Sequence, residues 1–139
     1  MKYGIILIFS VTFLFTSCTK NESEMLDQIQ GEWILDQISG GFTGAGTETS
    51  WNRVLIEDDS FELLSVPDGF PNSTTIASGN ITSGSIEGID EVFYFNLTET
   101  TIDDLGIEID PEKIITVNGI KMDWNSPCCD RFNYHFSKN

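Results

Sequence analysis

The sequence predicts an all-β protein, an antiparallel sheet of about eight strands that must pack on another sheet or close on itself. Three observations predict it. Apolar and polar residues alternate through Phe93, Phe95 and Leu97, and again through Phe132, Tyr134 and Phe136. Turn-forming residues punctuate the chain at 40–46, Asp58-Asp59, 67–71 and Asn118-Gly119. Beyond the apolar N-terminal run, only residues 24–30 carry helical spacing.

In chain order, Met25, Leu26 and Ile29 give a short helical turn one apolar side over 24–30. Trp33-Ile34-Leu35 opens the first strand, which runs to Ile38. Four glycines within residues 40–46 make a flexible loop. Strands over 51–57 and 60–66 flank the hairpin turn Asp58-Asp59. Residues 74–86 alternate weakly around Gly79 and Gly84, as two short strands or one bulged strand. Residues 91–99 set Phe93, Phe95 and Leu97 against Tyr94, Asn96 and Thr98.

Asn118-Gly119 then suits the two positive φ angles of a type I′ turn. It would set Val117 opposite Ile120, Ile115 opposite Met122, and Lys113 opposite Trp124. One face of that hairpin carries Val117, Ile115, Ile120, Met122 and Trp124, while Thr116, Lys121 and Asp123 point the other way. The last strand, 130–137, sets Phe132, Tyr134 and Phe136 against Arg131, Asn133 and His135.

The N-terminus carries a different message. Lys2 precedes an apolar stretch over 5–15, which ends in Thr16-Ser17-Cys18. At 1.5 Å per residue such a stretch reaches about 16 Å as a helix, half of a ~30 Å hydrocarbon core. A positive start, a short apolar middle and small residues at the exit are the parts of a signal peptide. The run through Cys18 resembles a bacterial lipobox, in the looser form of Bacteroidetes-type lipoproteins, with Phe15 where leucine is usual. The resemblance implies cleavage before Cys18, diacylglycerol on its sulfur and an acyl group on its amine. The alternative is an ordinary secretory signal with Cys18 incidental. The expected organisation is a signal peptide over 1–17, a lipidated tether over 18–26 and one domain over 27–139. The expected address is the cell envelope at the outer membrane, its periplasmic or surface face left open.

Removing residues 1–17 leaves 122 residues, enough for a single core. All 22 acidic residues and six of the seven basic ones lie there, so this part carries a net charge of −16. Such a surface repels phosphate backbones and offers no basic stripe, which excludes nucleic acid as a partner. It repels anionic lipid as well, so membrane contact is expected through the lipid on Cys18 alone.

Gly31-Glu32-Trp33, after a short helical turn and at the head of the first strand, resembles the G-x-W motif of lipocalins. The layout from Ile29 onward is similar to small lipocalin-like lipoproteins of Bacteroidetes-type bacteria. The resemblance implies an eight-stranded up-and-down barrel with Trp33 plugging the closed end. It also implies an arginine near the last strand packed over that tryptophan, for which Arg131 is the candidate. The midway T-D-Y motif of many lipocalins is absent.

Cys128 and Cys129 are adjacent. Their Cα atoms, 3.8 Å apart across a trans peptide, sit closer than an unstrained bridge prefers. A vicinal disulfide, two free thiols and bonds to other molecules all remain open. On a strand Cys129 and His135 would stand ~20 Å apart, too far to share a zinc ion, so His135 reads as a surface or rim residue. Asp103, Asp104, Glu108, Asp110 and Glu112 form the densest acidic run but lack the order of an EF-hand loop. No metal and no cofactor is expected. With one histidine, no G-x-S-x-G elbow and no phosphate-binding glycine pattern, no enzyme is expected either.

Two functions follow as expectations. One is a lipid-anchored barrel binding a small apolar ligand in its mouth. The other is an adaptor or inhibitor that docks on an envelope protein through acidic loops. Cells fed labelled palmitate should label this protein, and Cys18→Ala should abolish the label; persistent labelling would refute the lipid assignment.

Overall fold

Strands with an apolar residue at every second position have one face to hide, and this sheet hides it by curling shut. The computed structural model describes residues 21–41, 48–86, 88–101, 112–127 and 131–139, with backbone alone at 21–23 and 90. One helix, α1 (Asn21–Ile29), precedes eight strands. They are β1 (Gly31–Gly40), β2 (Arg53–Glu57), β3 (Ser60–Ser65), β4 (Thr74–Ile86), β5 (Ile89–Thr100), β6 (Glu112–Asn118), β7 (Lys121–Asn125) and β8 (Phe132–Lys138). Each pairs antiparallel with its sequence neighbours, and β8 returns to β1, closing an up-and-down barrel. The all-β class and the eight strands are as the sequence predicts.

The residues expected inside are inside. Phe93, Phe95, Ile115, Met122, Trp124, Tyr134 and Phe136 are buried, as are Trp33, Val54, Ile56, Phe61 and Leu63 from the first three strands. Rings pack across the axis: Phe95 lies 4.2 Å from Trp124 between centroids, Trp124 lies 4.7 Å from Phe136, and Phe61 lies 5.1 Å from Phe95. Each such buried side chain contributes about 1.5–3 kcal/mol by leaving water. Leu97, expected on the inner face, is 40% exposed near the end of β5.

Helix α1 begins at Asn21, inside the segment expected to be a tether, and closes one end of the barrel. Ile29 is fully buried, and Met25 and Leu26 pack against the core. Gln30 fixes the junction. Its amide nitrogen donates to the carbonyls of Leu26 (2.9 Å) and Asp58 (3.0 Å), and its amide oxygen accepts from Asp58 N–H (2.8 Å). That grip holds the β2–β3 turn, where Asp58 takes φ 54° as the first of two loop residues. The β6–β7 turn lies at the same end. The connections 41–52, 66–73, 101–111 and 126–131 all leave from the other end.

The β6–β7 hairpin forms, but one residue later than the sequence suggests. Asn118 pairs with Lys121 and the loop is Gly119-Ile120, so Val117 faces Met122 and Ile115 faces Trp124. Among the described residues of this turn only Gly119 has positive φ, at 62°. Glycine at the first central position is the type II′ arrangement, in place of I′. Moving the loop by one residue moves every partner by two, which leaves the faces unchanged. Ile120 is the exception: it stands 67% exposed at the turn, its carbonyl accepting from Lys138 N–H at 2.8 Å.

Residues 74–86 form one bulged strand, with shifts against β5 at Ser78/Gly79 and Gly84/Ile86. Gly79 is obligatory: a Cβ there would stand 2.1 Å from Asn96 O and 2.7 Å from Phe61 Cε1. A second kind of shift lies in β1, between Leu35 and Gln37, where it pairs with β8.

The outer surface of that seam is laced with polar contacts. Asp36 accepts from Lys121 Nζ at 2.7 Å and from Ser137 Oγ at 2.8 Å. Burial, the largest single influence, raises the Asp36 pKa. The bonds from Lys121 and Ser137, with the charges of Lys121 and His135, outweigh it and leave the carboxyl below its usual value. A depressed carboxyl contributes stability above its unfolded-state pKa and loses it as pH falls through the folded value. Asp36→Asn should therefore lower the melting temperature at neutral pH. The gap from the parent should close as the pH drops below the ordinary aspartate range; a gap constant with pH would contradict the ion-pair reading.

Candidate functional site

Cys18, Cys128, Cys129 and the signal segment 1–17 lie outside the described residues, as do Asp103, Asp104, Glu108 and Asp110. Trp33 is fully buried at the α1 end, its indole N–H donating to Ile29 O at 2.7 Å. It does not meet Arg131. Trp33 pairs with Lys138 across the β1–β8 seam, whereas Arg131 lies beside Gly40 at the far end of β1. The cation over the tryptophan is Lys138, its Nζ 5.0 Å from the ring centroid. Antiparallel pairing requires this, because the start of the first strand meets the end of the last. An exposed contact of this kind is worth about 0.5–1 kcal/mol.

Polar side chains gather inside the barrel around Tyr134. Trp51, just ahead of β2, lies 5.6 Å from the Tyr134 ring and 6.4 Å from Phe136. Trp124 of β7 lies 6.3 Å from the same tyrosine. Lys113 of β6 is fully buried, its Nζ 5.6 Å from the Tyr134 centroid. Alternation explains the lysine, since 113, 115 and 117 share the inner face.

Both indoles are about 1% exposed, and among the described residues neither Trp51 Nε1 nor Trp124 Nε1 has a hydrogen-bond partner. An indole N–H can only donate. Two enclosed donors favour an acceptor between or beside them. Glu91 Oε1 is a buried acceptor without a partner, but Glu91 as a residue is only half-buried. Sequence reading placed Trp124 on the inner face and gave Trp51 no role. The signal for Lys113 was its position in the alternation of β6.

Elsewhere, a depression of about 210 Å³ lies between the start of β4 and the end of β5, lined by Ile76, Ser78, Glu99 and Thr101 among others. Among the described residues that line it, Glu99 alone is ionisable. Among the described residues, no three of His, Cys, Asp and Glu gather to hold a metal ion, and no helix is long and apolar enough to cross a membrane. Compared with family models, curated proteins and solved structures, the chain matches none.

The two kinds of tryptophan make a contrast. Trp33→Phe strands the Ile29 carbonyl, while Trp124→Phe removes a donor that has no partner. Urea denaturation should find Trp33→Phe the more damaging by about 1–2 kcal/mol. Equal losses would show that the Trp33 hydrogen bond contributes nothing.

Proposed function

We propose that the protein is a lipid-anchored envelope lipoprotein of lipocalin-like build. Its barrel takes a small, mainly apolar ligand that carries one hydrogen-bond acceptor. The observation behind this reading is the pair of enclosed, unpartnered indole N–H groups of Trp51 and Trp124. An unsatisfied buried donor costs about 1–3 kcal/mol, which a ligand oxygen would offset. A carboxylate accepts such hydrogen bonds more strongly than a neutral group, which favours it as the acceptor.

The buried rings of Phe93, Phe95 and Trp124 fill the middle of the barrel, which counts against a deep cavity and narrows the ligand. Phe61, Phe95, Trp124 and Phe136 occupy the axis, so a long chain has no room beneath Trp124. A short one would seat at the end away from α1. The anchor rests on the lipobox-like run ending at Cys18, three residues ahead of α1.

The adaptor reading draws less support. Phe70 and Ile120, both 67% exposed, stand at opposite ends of the barrel and form no common apolar patch. Net charge alone remains for it.

Titration of the purified protein with decanoate, followed by tryptophan fluorescence, should saturate, and decane should give no comparable response. Trp51→Phe and Trp124→Phe should each weaken decanoate about tenfold, the effect of one charge-assisted hydrogen bond. No saturable response to decanoate, or equal responses to both compounds, would overturn the reading.

A further inference from the structure

On the outer wall, three strands bring a serine, the single histidine and an aspartate into one hydrogen-bonded chain. Ser39 Oγ of β1 lies 2.7 Å from His135 Nε2 of β8, and His135 Nδ1 lies 2.7 Å from Asp123 Oδ1 of β7. A carboxylate only accepts, so His135 Nδ1–H is the donor to Asp123. In the neutral ring Nε2 is then the acceptor, and the Ser39 hydroxyl donates to it. Nucleophile, base and orienting acid stand in working order.

The fold explains why they meet. Asp123 and His135 are directly paired across β7 and β8. Ser39 would face the interior with Trp33 and Leu35 if β1 were regular. The bulge between Leu35 and Gln37 turns Ile38 inward and Ser39 outward. All three side chains reach solvent, with His135 34% and Asp123 43% exposed.

A fourth group completes the set. Asn133 pairs with Ser39 across the seam. Its Oδ1 accepts from Ser126 N–H at 2.9 Å, which fixes the amide orientation. Its Nδ2 then lies on the Gly40 side, 3.5 Å from where a Cβ on that glycine would stand. An asparagine amide on the residue paired with the nucleophile is a donor of the kind a developing oxyanion takes.

We infer that Ser39, His135 and Asp123 form an acyl-transfer site on the outer wall of the barrel, with Asn133 as oxyanion donor, acting on small carboxylic esters. The expectation of a non-enzyme rested on missing sequence motifs, which do not report side chains joined across strands. Ser39 Oγ bonds to the ester carbonyl carbon while its proton passes to His135 Nε2, and the carbonyl electron pair moves onto oxygen. Collapse breaks the carbon–oxygen bond to the alcohol, which leaves with the proton from His135. Water then attacks acyl-Ser39 by the same route, releasing the carboxylic acid and restoring the serine. Esters suit the site better than amides, because their carbonyl is less stabilised by resonance and an alkoxide leaves more readily than an amide anion. The open wall suits small acyl groups.

The experiment treats the purified protein with a fluorophosphonate, which bonds phosphorus to the serine oxygen and expels fluoride, and maps the adduct by mass spectrometry. Ser39 should be labelled in preference to Ser50, Ser126 and the other serines, and p-nitrophenyl acetate should be hydrolysed. His135→Gln should abolish both. Asp123 is a positioning residue. Asp123→Asn should slow labelling at least tenfold and move the His135 proton from Nδ1 to Nε2 in nitrogen-15 spectra, with Asp123→Glu restoring part of the rate. No preferential label on Ser39 of the folded parent would overturn the inference and leave the three residues as a stitch between strands. That result is independent of the decanoate titration, since the two sites lie on opposite faces of the wall.

Discussion

Closure of β1 on β8 is the constraint on which the other features depend. It joins Trp33 to Lys138 and Gly40 to Phe132, residues nearly the whole domain apart in sequence. Bringing such distant segments together costs more loop entropy than any of the hairpins. What it yields is a barrel in place of an open sheet, paired most thinly between β5 and β6, where the described ladder is Phe93 with Lys113 and Tyr94 with Glu112. The side-chain contacts of the outer wall concentrate at this joint: Asp36 with Lys121 and Ser137, and Ser39 with His135 and Asp123.

The β1 bulge divides labour between the two faces. Before it, Trp33 and Leu35 lie on the inner side; after it, Ile38 does. One extra residue thus serves the core and sets a serine beside a histidine. Inside, packing and polarity pull in different directions. The rings around Phe95 and Trp124 fill space as a well-ordered core must, while the indole groups of Trp51 and Trp124 and the ammonium of Lys113 set polar atoms among them.

Alternation carried most of the fold. Phe93, Phe95, Tyr134 and Phe136 announce their face at every second position. The β6–β7 faces survive a mistaken loop because a one-residue error there keeps parity. What failed was pairing across long separations. Arg131 was matched to Trp33 by proximity to the last strand, although the direction of that strand makes Lys138 the neighbour. Ser39 was not singled out at all, and His135, weighed only against Cys129, was read as a surface or rim residue. A signal was present: the apolar spacing Trp33, Leu35, Ile38 runs two and then three, the mark of a bulge. Recognising it would have turned Ser39 outward, but its partners lie on strands whose register the sequence does not state.

The position of α1 has a consequence for how the molecule sits. The helix and the last residues of β8 share one pole, where Asn139 N–H bonds to Glu32 O at 3.1 Å. Any attachment just ahead of Asn21 therefore pulls on that pole. A body held this way stands upright on its helical foot, the last residues of β1, β3, β5 and β7 facing away from the point of attachment and its outer wall accessible from the side.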